Sequence, residues 1–76
     1  MKSMKILLDS IDKVKSFVNI INYYEGDFDL SSDRYVVDAK SIMGIFTLDL
    51  GKPLSLEIHD ESAYDELGVK LAKFLA

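Results

Sequence analysis

The 76-residue chain contains no cysteine and no tryptophan, and it has a single proline, a single histidine and a single arginine. Without cysteine it has no disulfide framework and no thiolate zinc site, which fits a reducing compartment. No apolar run approaches the ~18 residues that a membrane span needs. The three-residue apolar run near the N-terminus is too short for a signal peptide. We therefore expect a cytoplasmic protein that does not enter a membrane.

The charge of the chain argues against nucleic-acid binding. Acidic residues outnumber basic ones by 13 to 9, for a net charge of −4, and the basic residues are scattered. A phosphate-rich partner would be repelled at long range. The apolar fraction of 49% is enough for one small core, so we expect a single domain over residues 1–76.

The residues that could support catalysis or metal binding do not form a recognisable set. His59 falls on the polar face of a predicted strand, and one histidine is too few for a metal site of the usual kind. The acidic residues are dispersed and do not have the spacing of a calcium loop. The sequence has no Gly-rich phosphate loop and no Ser/His/Asp set. We expect no metal, no cofactor and no enzymatic activity.

Alternation of apolar and polar residues predicts four strands. They are centred on Met4, Ile6 and Leu8, on Phe28 and Leu30, on residues 34–37, and on Leu54–Ile58. Between the last two strands, Gly51, Lys52 and Pro53 interrupt the chain.

Apolar stripes at helical spacing predict three helices. Ser10 stands at the N-cap position of a first helix that extends to Ile21, and Asp12 in its first turn suits the positive end of the helix. Ser41 caps a short helix over residues 42–48. Residues 60–62 offer caps for a last helix over residues 64–75. The order β-α-β-β-α-β-α predicts an α+β, two-layer open-faced sandwich, with helices on one face of an antiparallel sheet.

The shared phases of these stripes and strands also predict the core. The residues expected to be largely buried are Ile6, Leu8, Phe17, Val18, Leu56, Ile58, Leu67, Leu71 and Phe74.

One segment resembles a known family. A serine at the start of a short apolar run is followed by Ile-Met-Gly in Ala39-Lys40-Ser41-Ile42-Met43-Gly44-Ile45. The segment is similar to the second signature of HPr, the phosphocarrier of the bacterial sugar phosphotransferase system. The resemblance implies strand order 1-4-2-3 with all three helices on one side. It also implies that Ser41 is a regulatory phosphorylation site and that Ile42, Met43 and Phe46 form a docking patch. The alternative is that these apolar residues pack against the first helix or the fourth strand.

The other HPr signature, Gly-Ile/Leu-His-Ala-Arg-Pro-Ala around the histidine that carries phosphate, is missing. Counting back from Ser41 without gaps puts Ser10 at the histidine position and Asp12 at the arginine position. A gap of one or two residues would instead put Ile11 or Asp12 at the histidine. Residues 9–15 contain no histidine, arginine or proline in any case. An ordinary N-cap and first-turn carboxylate also explain Ser10 and Asp12.

The resemblance implies a protein related to the sugar phosphotransferase system that is unable to carry phosphate on histidine. We expect a regulatory or interaction domain whose partners are proteins of the phosphotransferase or catabolite-control type. One alternative is an active carrier that uses Ser10, Asp12 or His59. Another is an interaction module with an unrelated partner.

Overall fold

A computed structural model describes residues 2–76. Its elements follow the predicted order. They are β1 (Lys2–Ile6), α1 (Ile11–Ile21), β2 (Phe28–Ser31), β3 (Val36–Asp38), α2 (Ile42–Ile45), β4 (Leu54–Ile58) and α3 (Tyr64–Lys70). Two 3-10 turns, Glu61–Ala63 and Ala72–Phe74, flank α3. Within residues 2–76, no helix is long and apolar enough to cross a membrane.

The four strands form one antiparallel sheet in the order β1-β4-β2-β3, which confirms the predicted topology. The inner strand β4 places Leu56 between Met4 of β1 and Leu30 of β2. Alternate residues of β2 and β4 are buried, as expected for a sheet with one covered face. Buried residues from all three helices join this apolar face in a single core.

All nine residues predicted for the core are buried. Phe17 of α1 contacts Phe74 edge-on, with ring centroids 6.4 Å apart, an arrangement that aromatic pairs favour. The amphipathic phases of α1 and β4 were therefore assigned correctly. Ile11 is the exception on the first helical stripe, because its side chain is 60% exposed.

The third strand begins two residues later and ends one residue later than the predicted range of 34–37. The register pairs Ser31 with Val36, so the four residues between them form the hairpin loop. The backbone N–H of Ser32 donates to the carbonyl of Tyr35 at 2.9 Å and closes this loop. β-branched and aromatic residues indicated a strand here, but Arg34 and Tyr35 lie in the loop that joins β2 to β3.

The predicted first strand and the predicted last helix both end earlier than expected, because the C-terminal residues contact the end of β1. β1 ends at Ile6, and Leu7 then donates its N–H to the Phe74 carbonyl at 2.7 Å, while Leu75 forms a bridge with Ile6. The chain after α3 tightens into a 3-10 turn that brings Phe74 to Leu7 and Phe17. The short helix over residues 42–48 likewise reduces to α2, with turns following it.

Candidate functional site

The first candidate position, at the start of α1, is occupied by a capping serine. Ser10 has extended backbone angles, and its Oγ accepts the Lys13 N–H at 3.2 Å. This is the N-cap geometry predicted from the sequence. Asp12 lies in the first turn, as predicted.

The charges around Ser10 are already partly paired. The Lys13 Nζ lies 2.8 Å from an Asp9 carboxylate oxygen. The hydrogen bond from Lys13 lowers the pKa of the Asp9 carboxyl below its usual value. A second lysine, Lys73, lines a shallow hollow together with Asp12 and Lys13. Arg34, the one arginine of the chain, lies in the β2–β3 loop instead. No arginine therefore stands beside Ser10 to neutralise a phosphate.

Ser41, the second candidate position, caps α2 as predicted. Its Oγ accepts the Gly44 N–H at 3.1 Å, and its carbonyl accepts the Ile45 N–H at 3.0 Å. The serine is half-buried rather than enclosed. Because the oxygen acts as the acceptor in this cap, the hydroxyl hydrogen is left to other partners.

A side chain at position 44 would crowd this cap. A Cβ added to Gly44 would lie 3.2 Å from the Ser41 Oγ and 3.3 Å from the Val37 Cβ. The neighbours would have to shift to admit even alanine. The close packing of the α2 cap against β3 thus explains the glycine that follows Ser41 by three residues.

Two of the four apolar side chains that follow Ser41 are exposed to solvent. Met43 is 76% exposed, Phe46 is 42% exposed and Ile42 is half-buried, whereas Ile45 points into the core. We call Ser41, Ile42, Met43 and Phe46 the Ser41 surface. Met43 and Phe46 are therefore accessible to a partner, whereas Ile42 packs partly against the core, and the docking role of this surface remains a prediction.

One exposed apolar residue was missed by the sequence reasoning. Ile11 follows Ser10 at the first position of α1, and α1 packs against α2. An isoleucine at the first position of an amphipathic helix has the same sequence signature as a core residue. Only the orientation of α1 on the sheet reveals that its side chain is exposed.

His59, the third candidate position, lies between the end of β4 and Asp60, which caps the 3-10 turn Glu61–Ala63. It is exposed, and its Nε2 lies 2.8 Å from a carboxylate oxygen of Asp29. This contact explains the orientation of its ring. The structure therefore places His59 on the open face of the sheet, in a different setting from Ser10 and Ser41.

Comparison with known proteins gives a consistent assignment of the fold. No protein-family model and no curated protein matches the chain. Among solved structures, it resembles HPr-C-His from Thermoanaerobacter tengcongensis, with 27% identity, a TM-score of 0.75, and coverage of 96% of this chain and 92% of that one. It also resembles the phosphocarrier protein HPr from Bacillus anthracis str. Ames, with 28% identity, a TM-score of 0.68, and coverage of 96% and 93%.

The chain has an HPr-like fold. This fold relates the protein to the phosphocarriers of the phosphotransferase system. It confirms the resemblance drawn from residues 39–45 and the 1-4-2-3 sheet that the resemblance implied. The roles of Ser10, Asp12, Ser41 and the Ser41 surface in this HPr-like protein remain predictions.

Substitutions at Ser41 should show how much its N-cap hydrogen bond stabilises the fold. Ser41→Ala removes the acceptor for the Gly44 N–H and should lower the free energy of unfolding by about 0.5–2 kcal/mol. Ser41→Asp keeps an acceptor at the N-cap and should stay within about 0.5 kcal/mol of the native protein. Urea denaturation followed by circular dichroism measures both. Ser3→Ala, at an exposed position that caps no helix, is the control. Equal stability of all three variants would mean that the cap contributes nothing.

Proposed function

We propose that this HPr-like protein is a regulatory or interaction protein that binds protein partners of the phosphotransferase or catabolite-control type and carries no phosphate on histidine. The observation that supports this most directly is the contrast between the start of α1 and the Ser41 surface. A serine rather than a histidine caps α1, while the Ser41 surface retains the exposed Met43 and Phe46.

The chemistry of residues 9–15 argues against phosphate transfer. A phosphorylated imidazole is labile and can pass its phosphoryl group on, whereas a serine ester is far more stable and would end the relay. Asp12 could form a labile acyl phosphate, but charge-assisted hydrogen bonds from arginine are what stabilise such a group best. The nearest lysine in sequence, Lys13, is bonded to Asp9.

His59 is a poor substitute for the carrier. It lies one residue before Asp60, which occupies the N-cap of the 3-10 turn Glu61–Ala63 and itself accepts the Ser62 N–H, so His59 does not hold the position at which helical N–H groups bind a phosphate. Its Nε2 is bonded to Asp29, and a phosphoryl group on that nitrogen would meet the Asp29 and Glu57 carboxylates. Like charges at this distance disfavour the transfer.

The Ser41 surface has the properties of a docking site. Methionine adapts its shape to a partner, and aromatic and methionine side chains are enriched in interface cores. We extend to Ser41 the regulatory phosphorylation that the HPr resemblance implies. A phosphate on its Oγ would add negative charge beside Met43 and change what this surface binds.

A phosphotransfer assay tests the non-carrier proposal. The protein is incubated with radiolabelled phosphoenolpyruvate and the first enzyme of the phosphotransferase system, and a histidine-containing HPr serves as positive control. We expect the HPr to be labelled and this protein to stay unlabelled. Acid-labile label that disappears in His59→Gln or Asp12→Asn would contradict the proposal and identify the carrier residue.

A further inference from the structure

The open face of the sheet carries a row of acidic residues in register. Asp29 of β2 is paired with Glu57 of β4 on one side and with Asp38 of β3 on the other. Like charges directly opposite each other on neighbouring strands are destabilising. A cation bound among these carboxylates would relieve that repulsion.

His59 stands at the end of this row. Its backbone N–H donates to the Asp27 carbonyl at 3.3 Å and extends the pairing of β4 with β2. It follows Glu57 by two residues, so both side chains lie on the same face of the sheet. The ligand atoms of Asp29, Glu57 and His59 all lie within 4.8 Å of one another.

We propose that Asp29, Glu57 and His59 form a binding site for a divalent transition-metal cation, with Zn²⁺ as the best match. An imidazole nitrogen with two carboxylate oxygens is a donor set that zinc accepts, and three protein ligands leave one position of a four-coordinate ion for water. The imidazole separates this group from an ordinary acidic surface, since hard cations such as Ca²⁺ and Mg²⁺ take oxygen ligands.

The geometry permits the site with small movements. At metal–ligand distances of about 2.0–2.2 Å, two ligand atoms on a tetrahedral ion lie about 3.3 Å apart. The ligand atoms of Asp29 and His59 are 2.8 Å apart, so they would have to move slightly apart. The other pairs of ligand atoms, which are up to 4.8 Å apart, would have to approach each other by up to about 1.5 Å. Rotation of partly exposed side chains supplies such movements, while the paired strands hold their Cα atoms in place.

A single histidine in the sequence led to the expectation of no metal site. The signal that was missing is the register of β2 against β4, because Asp29 and Glu57 are 28 positions apart in the chain and lie opposite each other only in that register. When β2 and β4 are paired, Asp29, Glu57 and His59 all lie on the open face of the sheet.

The test is isothermal titration of tag-free protein with ZnCl₂ and, separately, with CaCl₂. We expect one Zn²⁺ per chain and at least tenfold weaker binding of Ca²⁺. His59→Gln and Asp29→Asn should each weaken Zn²⁺ binding at least tenfold. The control is Asp33→Asn, which removes the same charge from the exposed β2–β3 loop and should change the affinity less than twofold.

The proposal is overturned if His59→Gln binds Zn²⁺ as the native protein does, if Asp33→Asn loses as much affinity as Asp29→Asn, or if Ca²⁺ binds equally well. A measurement on the native chain covers the case in which a variant fails to fold. In NMR spectra, Zn²⁺ should shift the ring resonances of His59 and the amides of Asp29 and Glu57. Shifts confined to other residues would refute the site.

Discussion

Replacing Leu56 with alanine is expected to lower the free energy of unfolding by about 2–5 kcal/mol. Leu56 is fully buried on the inner strand β4, between Met4 and Leu30. Truncation there removes apolar contacts and leaves a cavity that paired strands on both sides cannot close. A domain of this size has little stability to spare, so the variant should be largely unfolded at 37 °C.

Urea denaturation monitored by circular dichroism measures the effect. Two variants calibrate it. Ile58→Val removes one methylene from the same strand and should cost about 0.5–1.5 kcal/mol. Val69→Ala changes a side chain that is 79% exposed and should stay within about 0.5 kcal/mol. A cost below about 1 kcal/mol for Leu56→Ala would contradict its place in the core.

Hydrophobic periodicity was sufficient to predict the core and the order of the elements. A strand such as Leu54–Ile58 alternates strictly, and burial of one side of the sheet then leaves little choice of phase. Element ends were predicted less well. The 3-10 turn at Ala72–Phe74 depends on a distant part of the chain, because the Phe74 carbonyl accepts the Leu7 N–H. Local patterns contain no information about such a contact.

In the candidate site too, local features were predicted from the sequence and features that depend on packing were not. The capping roles of Ser10 and Ser41 are local interactions, so their sequence positions predicted them. The exposure of Ile11 and the meeting of Asp29 with Glu57 depend on how α1 and the strands pack, and residue type alone could not predict them. The strand order that brings Asp29 to Glu57 came from the HPr resemblance, because alternation does not specify which strands are neighbours.

Met43→Asp is expected to leave the fold intact and to abolish binding to any partner that uses the Ser41 surface. Met43 is exposed on α2 and contributes nothing to the core. In a complex, however, its side chain would lie within the apolar contact area, where a buried and unpaired carboxylate costs several kcal/mol. With the purified first enzyme of the phosphotransferase system as the partner, we expect Met43→Asp to show no measurable binding under conditions in which the native protein binds.

A matched control distinguishes a lost contact from a general charge effect. Val69→Asp introduces the same carboxylate at an equally exposed apolar position on α3 and should bind the enzyme as the native protein does. Circular dichroism should show that both variants are folded. If Met43→Asp retains native affinity, the partner docks elsewhere and the Ser41 motif only caps α2. If both variants lose affinity together, long-range charge repulsion rather than contact with Met43 explains the loss, because an added carboxylate acts at a distance wherever it lies.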